Sequence, residues 1–315
     1  MSDLVSGVVP VLATPFHPDG QLDRRSFRSL CEHVCSQPIS AVMFPGFASE
    51  YYKLDDDERI TLARDLVDVA ADHPDVTAVL SVSRHATFSA VREAQAFVEM
   101  GAGAVNLLPP NLMGPTAAAV LDHVATVLAA IPGTPVVLQY APGETGVALS
   151  PDAISAVAAA HPNLVAVKVE ARPPYDLIAL LRKQTPAVPS LAGSGGLYLL
   201  ESLRCGAIGV QPGSSFVEIY QAIWEGWASG DEKGATDLYS RLLCYPVSWA
   251  VQQEPIVAIE KLIATRRGII AHDRCRHPHR SVGSTDQQLV ERFLTEFDRE
   301  LRPPRENRRH KIEDC

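Results

Sequence analysis

Asn163-Leu164-Val165-Ala166-Val167-Lys168-Val169-Glu170 carries both the architecture and the chemistry of this chain. The run is apolar almost without interruption, where a half-exposed strand would alternate, so it reads as a strand buried on both faces. Lys168 is the only lysine on such a run. An ammonium there must be desolvated or paired, and a desolvated lysine titrates low enough to be a nucleophile near neutral pH. Such an amine condenses with a ketone to a Schiff base, an electron sink for bond breaking at the next carbon. The competing reading is a lysine that snorkels from a strand end into solvent.

Outward from this run, similar short stretches recur: Gly7 to Leu12, Ala41 to Gly46, Val76 to Val82, Ala104 to Pro109, Val136 to Tyr140, Val188 to Gly193 and Gly206 to Gln211. With Leu164 to Lys168 they number eight, the count of a closed barrel. Helix-like segments lie between them, including Asp55 to Ala71, Ala86 to Met100, Thr116 to Ala130, Pro151 to Ala160 and Tyr175 to Lys183. Asp55, Pro115-Thr116 and Ser150-Pro151 mark helix starts. The alternation predicts parallel strands with right-handed crossovers. Leu12-Ala13-Thr14-Pro15-Phe16 follows the first run where a dinucleotide-binding sheet would carry its glycines, which favours the (β/α)8 barrel.

From Phe216 onward the pattern is helical, over Tyr220 to Ser229, Asp231 to Leu243, Gln252 to Arg267 and Asp286 to Leu301. These predict the eighth helix and an appended C-terminal layer. Residues 1–302 thus read as barrel plus helices, and the charged, proline-bearing tail Pro303 to Cys315 as disordered.

The totals agree with an enzyme acting on a small molecule. The 315 residues are 46% hydrophobic and 21% charged, an ordinary globular composition able to bury a large core. A net charge of −9 without a dense basic stripe in the first 260 residues argues against a nucleic-acid partner. No apolar run approaches the ~20 residues of a membrane span. Met1-Ser2-Asp3-Leu4 lacks the features of a secretory signal, so the expected location is cytoplasmic. Cys31, Cys35, Cys205, Cys244, Cys275 and Cys315 form no disulfide framework and fit reduced thiols.

In a parallel barrel the chemistry sits at the C-terminal ends of the strands. There the chain carries Pro45-Gly46-Phe47-Ala48-Ser49-Glu50, Gln139-Tyr140-Ala141-Pro142-Gly143-Glu144-Thr145-Gly146, and Lys168 with Glu170. Together with the opening Gly7-Val8-Val9-Pro10-Val11-Leu12-Ala13-Thr14-Pro15-Phe16, these resemble the dihydrodipicolinate synthase and N-acetylneuraminate lyase family over roughly Val5 to Leu301. The resemblance implies a (β/α)8 barrel with C-terminal helices, a homo-oligomer (tetramer or dimer), and a Schiff base between Lys168 and a 2-oxo acid. It implies no cofactor.

The departures narrow the reaction. The family's Gly-Thr-Thr-Gly-Glu carboxylate loop is Gly46-Phe47-Ala48-Ser49-Glu50 here, which leaves Ser49 and loop amides to hold a carboxylate. Aligning Pro142 with the family proline puts Gln139, not Tyr140, at the family's tyrosine position. A shifted loop would restore Tyr140 to that role. Glu144 replaces an expected arginine, and Pro109-Pro110-Asn111-Leu112-Met113 lacks the tyrosine pair of the synthases. Dihydrodipicolinate synthesis is therefore not assigned.

Glu170, two residues past Lys168, shares its face if the strand continues and is the candidate proton carrier. A surface glutamate paired with Arg172 is the equal alternative. Gln139 with Lys-x-Glu resembles the 2-keto-3-deoxy sugar acid dehydratase branch, which predicts dehydration of a hydroxylated 2-oxo acid. The rivals are a pyruvate-dependent aldolase using Tyr140 or a bound water, and a barrel that binds a 2-oxo acid without turnover. Gly46, Phe47, Ala48, Ser49, Thr145, Gly193 and Gln211 complete the predicted substrate-binding set. Phe47, Ala48 and Leu112 make the pocket more apolar than a sugar acid prefers, so a specialised substrate also fits.

Two weaker signals remain. His272, Cys275, His277 and His279 have metal-ligand chemistry but crowd too closely among arginines for the usual paired pattern, so no metal is assigned. His85 follows the third strand, where it reads equally as a substrate contact or a loop residue.

Overall fold

The computed structural model describes residues 2–110, 112–249 and 253–302. The predicted tail from 303 to 315 and Asn111 lie outside these residues. Eight parallel strands are present: β1 (Gly7–Val8), β2 (Ala41–Phe44), β3 (Thr77–Val82), β4 (Ala104–Leu107), β5 (Val136–Tyr140), β6 (Leu164–Val169), β7 (Ser190–Ala192) and β8 (Gly209–Val210). They pair in the order β1-β8-β7-β6-β5-β4-β3-β2. The ring closes between β1 and β2 through a bridge from Val11 to Met43, with Met43 N–H donating to Pro10 O at 2.9 Å. This is a (β/α)8 barrel.

The first and last strands are shorter than the sequence pattern suggested. Backbone bonding runs on past the paired residues all the same, with Val9 N–H donating to Val210 O and Val11 N–H to Pro212 O, each at 2.9 Å.

Helices α1 (Arg24–Cys35), α2 (Asp56–Ala70), α3 (Thr87–Met100), α4 (Ala117–Ala130), α5 (Pro142–Thr145), α6 (Pro151–Ala160), α7 (Tyr175–Arg182), α8 (Leu199–Arg204) and α9 (Val217–Ala228) alternate with the strands or follow them. Then come α10 (Glu232–Trp249), α11 (Gln253–Arg266) and α12 (Ser284–Glu296). The predicted starts are capped by their own side chains. Asp55 accepts from Glu58 N–H at 2.8 Å while Glu58 accepts from Asp55 N–H at 3.0 Å, and Thr116 and Ser150 accept from Ala119 and Ala153 N–H, each at 3.2 Å. No helix among the described residues is long and apolar enough to cross a membrane.

Strand alternation divides the core in two. Val42, Phe44, Leu80, Val105, Leu138, Val167 and Val169 pack outward beneath the helices. Ala41, Met43, Val79, Ala104, Val137 and Ala166 fill the lumen. Two residues beyond the lumen-facing positions of four adjacent strands, the apolar plug gives way to Ser81, Asn106, Gln139 and Lys168. That step marks the floor of the site.

Candidate active site

Gln139 and Lys168 are register partners on β5 and β6. Lys168 is 4% exposed and Glu170 7%, and Lys168 Nζ lies 3.2 Å from Glu170 Oε1. Lys168 therefore does not snorkel, and Glu170 does not pair with Arg172. Arg172 instead approaches Glu144, at 3.9 Å.

Gln139 fixes the second Glu170 oxygen. Its Nε2 donates to Glu170 Oε2 at 2.7 Å, and its Oε1 accepts from Asn106 Nδ2 at 3.0 Å. Asn106 Nδ2 also donates to Ser81 Oγ at 2.8 Å. A polar chain thus runs across the lumen from β3 through β4 and β5 to the lysine on β6. Its members are buried and bonded to one another, which holds the carboxylate in one orientation. Ser81 and Asn106 went unnoticed in the sequence, although each is a polar residue inside an apolar run, the same signal that singled out Lys168.

The alternative role for Tyr140 is corrected by the strand. One residue past Gln139, its side chain turns outward into the core beneath the helices, and its hydroxyl accepts from Leu149 N–H at 3.2 Å. Gln139 faces inward by alternation from Val137 in the lumen, and a pairing irregularity, Val136 with Leu164 but Val137 with Ala166, brings it level with Lys168.

Lys168 and Glu170 line a cavity with about 640 Å³ of atom-free space, counted out to its mouth. Phe47, Ala48 and Gln211, from the predicted substrate set, line the same cavity. Other members of the predicted substrate set have different tasks. The Ser49 hydroxyl is already used, donating to Leu12 O at 2.5 Å and accepting from Gly46 N–H at 2.8 Å. Ser49 and Gly46 therefore shape the loop. The amides of Phe47 and Ala48 open the 3-10 turn Phe47–Ser49, the positions whose N–H groups such a turn leaves without an internal acceptor.

Thr145 is also corrected: its hydroxyl donates to Ala141 O at 3.0 Å inside α5, and it does not line the cavity. His85 is exposed and likewise outside it. Gly193 acts from behind. A Cβ there would fall 2.3 Å from Glu170 Cγ and 2.7 Å from Val169 O, so only glycine lets Glu170 lie where it does.

The C-terminal layer supplies what the sequence did not reveal. Pro246 of α10 and Ile256, Val257 and Glu260 of α11 roof the cavity. Tyr220 of α9 pins the turn after β7 by donating to Gly195 O at 2.6 Å, and burial pushes its phenol far up. Among the described residues, no group of three or more histidines, cysteines or carboxylates is arranged to hold a metal ion. Cys275, from the histidine-rich segment, packs with Val257 and Ala258.

The dihydrodipicolinate synthetase family profile matches residues 4–297. A 4-hydroxy-tetrahydrodipicolinate synthase of Xanthomonas campestris is 30% identical over 267 residues, covering 84% of this chain and 86% of that protein. A probable 2-dehydro-3-deoxy-D-pentonate aldolase of Escherichia coli is 24% identical over 298 residues, covering 92% and 96%. The crystal structure of a dihydrodipicolinate synthase from Rhodopseudomonas palustris superposes with a TM-score of 0.85 at 24% identity, over 94% of this chain and 98% of that one. With its barrel, its strand-borne lysine and a match along nearly its whole length, the chain belongs to the dihydrodipicolinate synthetase family, whose members are lyases working through a Schiff base.

Proposed function

We propose that this chain dehydrates a hydroxylated 2-oxo acid through a Schiff base on Lys168, with Glu170 as the proton carrier. The single observation behind this reading is the Glu170 carboxylate, 3.2 Å from Lys168 Nζ and anchored by Gln139 where the resemblance leads one to expect a tyrosine. Glu170 is placed to take the proton that frees the Lys168 amine.

The amine then adds to C2, and the carbinolamine hydroxyl leaves as water with the proton that Glu170 returns, which gives the iminium and an ionised Glu170. Glu170 accepts a proton from C3, and the resulting enamine expels the C4 hydroxyl, which leaves as water with that proton. Water hydrolyses the unsaturated iminium, restoring Lys168 and releasing a 2-oxo acid with a C3=C4 double bond. The net change is loss of one water. Phe47 and Ala48 amides are the candidates for the substrate carboxylate, since Ser49 is occupied.

A second reading, carbon-carbon cleavage between C3 and C4, draws support from the E. coli relative named as a probable pentonate aldolase. Both begin with the same adduct and part at C4. Intact-mass spectrometry after borohydride reduction should find a pyruvate adduct on the wild type and none on Lys168→Ala. Glu170→Gln should slow adduct formation without abolishing it, and should lose dehydration of a 4-hydroxy-2-oxo acid by roughly 10²-fold or more, as removal of a general acid–base does. Trapping that survives Lys168→Ala would refute the Schiff base, and release of an aldehyde with pyruvate would replace the dehydratase by the aldolase.

A further inference from the structure

The cavity above Lys168 holds hydrogen-bonding groups that the chemistry at C2 to C4 leaves unused. Gln211, just past the end of β8, is 2% exposed and lines the cavity, and among the described residues neither its Nε2 nor its Oε1 has a hydrogen-bond partner. A buried polar group left unpaired is destabilising, and a ligand presenting the complementary group recovers that loss.

Glu260 of α11 faces the same space and is 5% exposed. Its Oε2 accepts from Ser215 N–H at 2.9 Å and from Ser215 Oγ at 2.5 Å, while no hydrogen bond reaches Oε1 among the described residues. A Cβ on Gly213 would fall 2.2 Å from that Oε1, so bare backbone approaches the carboxyl there. Burial outweighs the Ser215 bonds and pushes the Glu260 carboxyl up.

The wall around these two groups is apolar, built from Val11, Phe47, Phe216, Ile256 and Val257. Among the described residues lining the cavity, the only lysine or arginine is Lys168, which the Schiff base consumes.

We infer that Gln211 and Glu260 form a subsite for a neutral hydroxyl on the distal part of the substrate, so that the pocket takes hydroxylated monocarboxylic 2-oxo acids and rejects dicarboxylic ones. A hydroxyl carries one donor and two acceptor lone pairs. It can accept from Gln211 Nε2 while donating to Glu260 Oε1. A second carboxylate would meet Glu260 and apolar side chains with no lining cation to pair with, and would be buried unpaired. The inference rests on the Schiff-base reading of Lys168 and adds the location and chemistry of the substrate's far end.

The test is borohydride trapping at graded concentrations of pyruvate, 5-hydroxy-2-oxopentanoate, its methyl counterpart 2-oxohexanoate and 2-oxoglutarate, read by intact mass on wild type, Gln211→Leu and Glu260→Gln. In the wild type the hydroxy acid should half-saturate at a concentration roughly tenfold or more below those of 2-oxohexanoate and 2-oxoglutarate, the discrimination that about one recovered buried hydrogen bond provides. That preference, normalised to pyruvate trapping in the same protein, should collapse in both variants. If a variant fails to fold, the wild-type comparison still decides. Equal trapping of 2-oxoglutarate, or a preference that survives both substitutions, overturns the subsite alone. Absence of any adduct, pyruvate included, overturns the Schiff base and the subsite with it.

Discussion

At the scale of single residues, the site turns on how closely Glu170 is held. Gly193 leaves no space between β7 and the Glu170 stem, so Gly193→Ala must push the carboxylate aside or strain the backbone at Val169. Its turnover should fall by at least roughly tenfold, given that a 1 Å misplacement can cost about 10²-fold. Pyruvate trapping on Lys168 should persist, and thermal unfolding should show a loss of about 1–3 kcal/mol from overpacking. Lys168 and Glu170 were legible because strand alternation puts them on one face and a charge in an apolar run demands an explanation, whereas Gln139 came from aligning Pro142 with the family proline and left Tyr140 open. Glu260 was not. Glu260-Lys261 looks like a solvated pair on an amphipathic helix, yet both are buried, with partners Ser215 and Glu50 that lie 45 and 211 positions away in the chain. Local periodicity carries no trace of such distant pairing. Ser49 shows the converse: its residue type suits a carboxylate ligand, but its hydroxyl serves Leu12 and Gly46.

Among elements, the loop after β2 is positioned by the C-terminal layer. Glu50 sits between the 3-10 turns Phe47–Ser49 and Tyr51–Lys53 with φ 54°, a left-handed conformation that a non-glycine residue adopts only where its surroundings impose it. Its buried carboxylate takes Lys261 Nζ, Lys53 Nζ at 3.1 Å and Arg276 N–H at 3.2 Å. Lys261 is fully buried, and its Nζ also lies 4.5 Å from the centre of the Phe16 ring. Lys261→Met should destabilise the protein by about 3–5 kcal/mol, because it leaves a buried charge short of its partner. Adding Glu50→Gln should restore much of that loss, a coupling that denaturant unfolding of the two single variants and the double variant would measure. The strands themselves were foreseen in number and order. Their lengths were not, because the apolar runs extend beyond the residues that pair as strands.

For the molecule as a whole, Arg276 fastens the C-terminal segment to the barrel. Its guanidinium donates to both Glu58 oxygens, each at 2.7 Å, and to Gly20 O and Lys53 O, each at 2.8 Å, with its Cζ 4.4 Å from the centre of the Phe16 ring. The Arg276 guanidinium holds the Glu58 carboxyl below its ordinary value of 4.5, against the opposing effect of burial. Between the lowered folded value and the ordinary unfolded one, the unfolded chain binds more protons. The contribution of Glu58 is therefore complete above the ordinary value and is lost as pH falls through the folded one. In thermal unfolding followed from neutral pH downward, the wild type should lose more stability below about pH 4.5 than Arg276→Met, which should start lower by about 1–3 kcal/mol. The barrel with its C-terminal helices was legible from the repeat of apolar runs. The closure of those helices over the substrate cavity was not, since it depends on which face of α11 meets the strand ends.

The polar chain through the lumen also has a stereochemical consequence. Because Gln139 donates to Oε2 of Glu170, that oxygen is kept as an acceptor, and a proton arriving on Glu170 settles on Oε1, the oxygen beside Lys168. On the proposed mechanism, all proton traffic with the bound intermediate passes through one atom on one side of its plane, so that of the two hydrogens on C3 of the substrate only the one facing Oε1 exchanges with solvent.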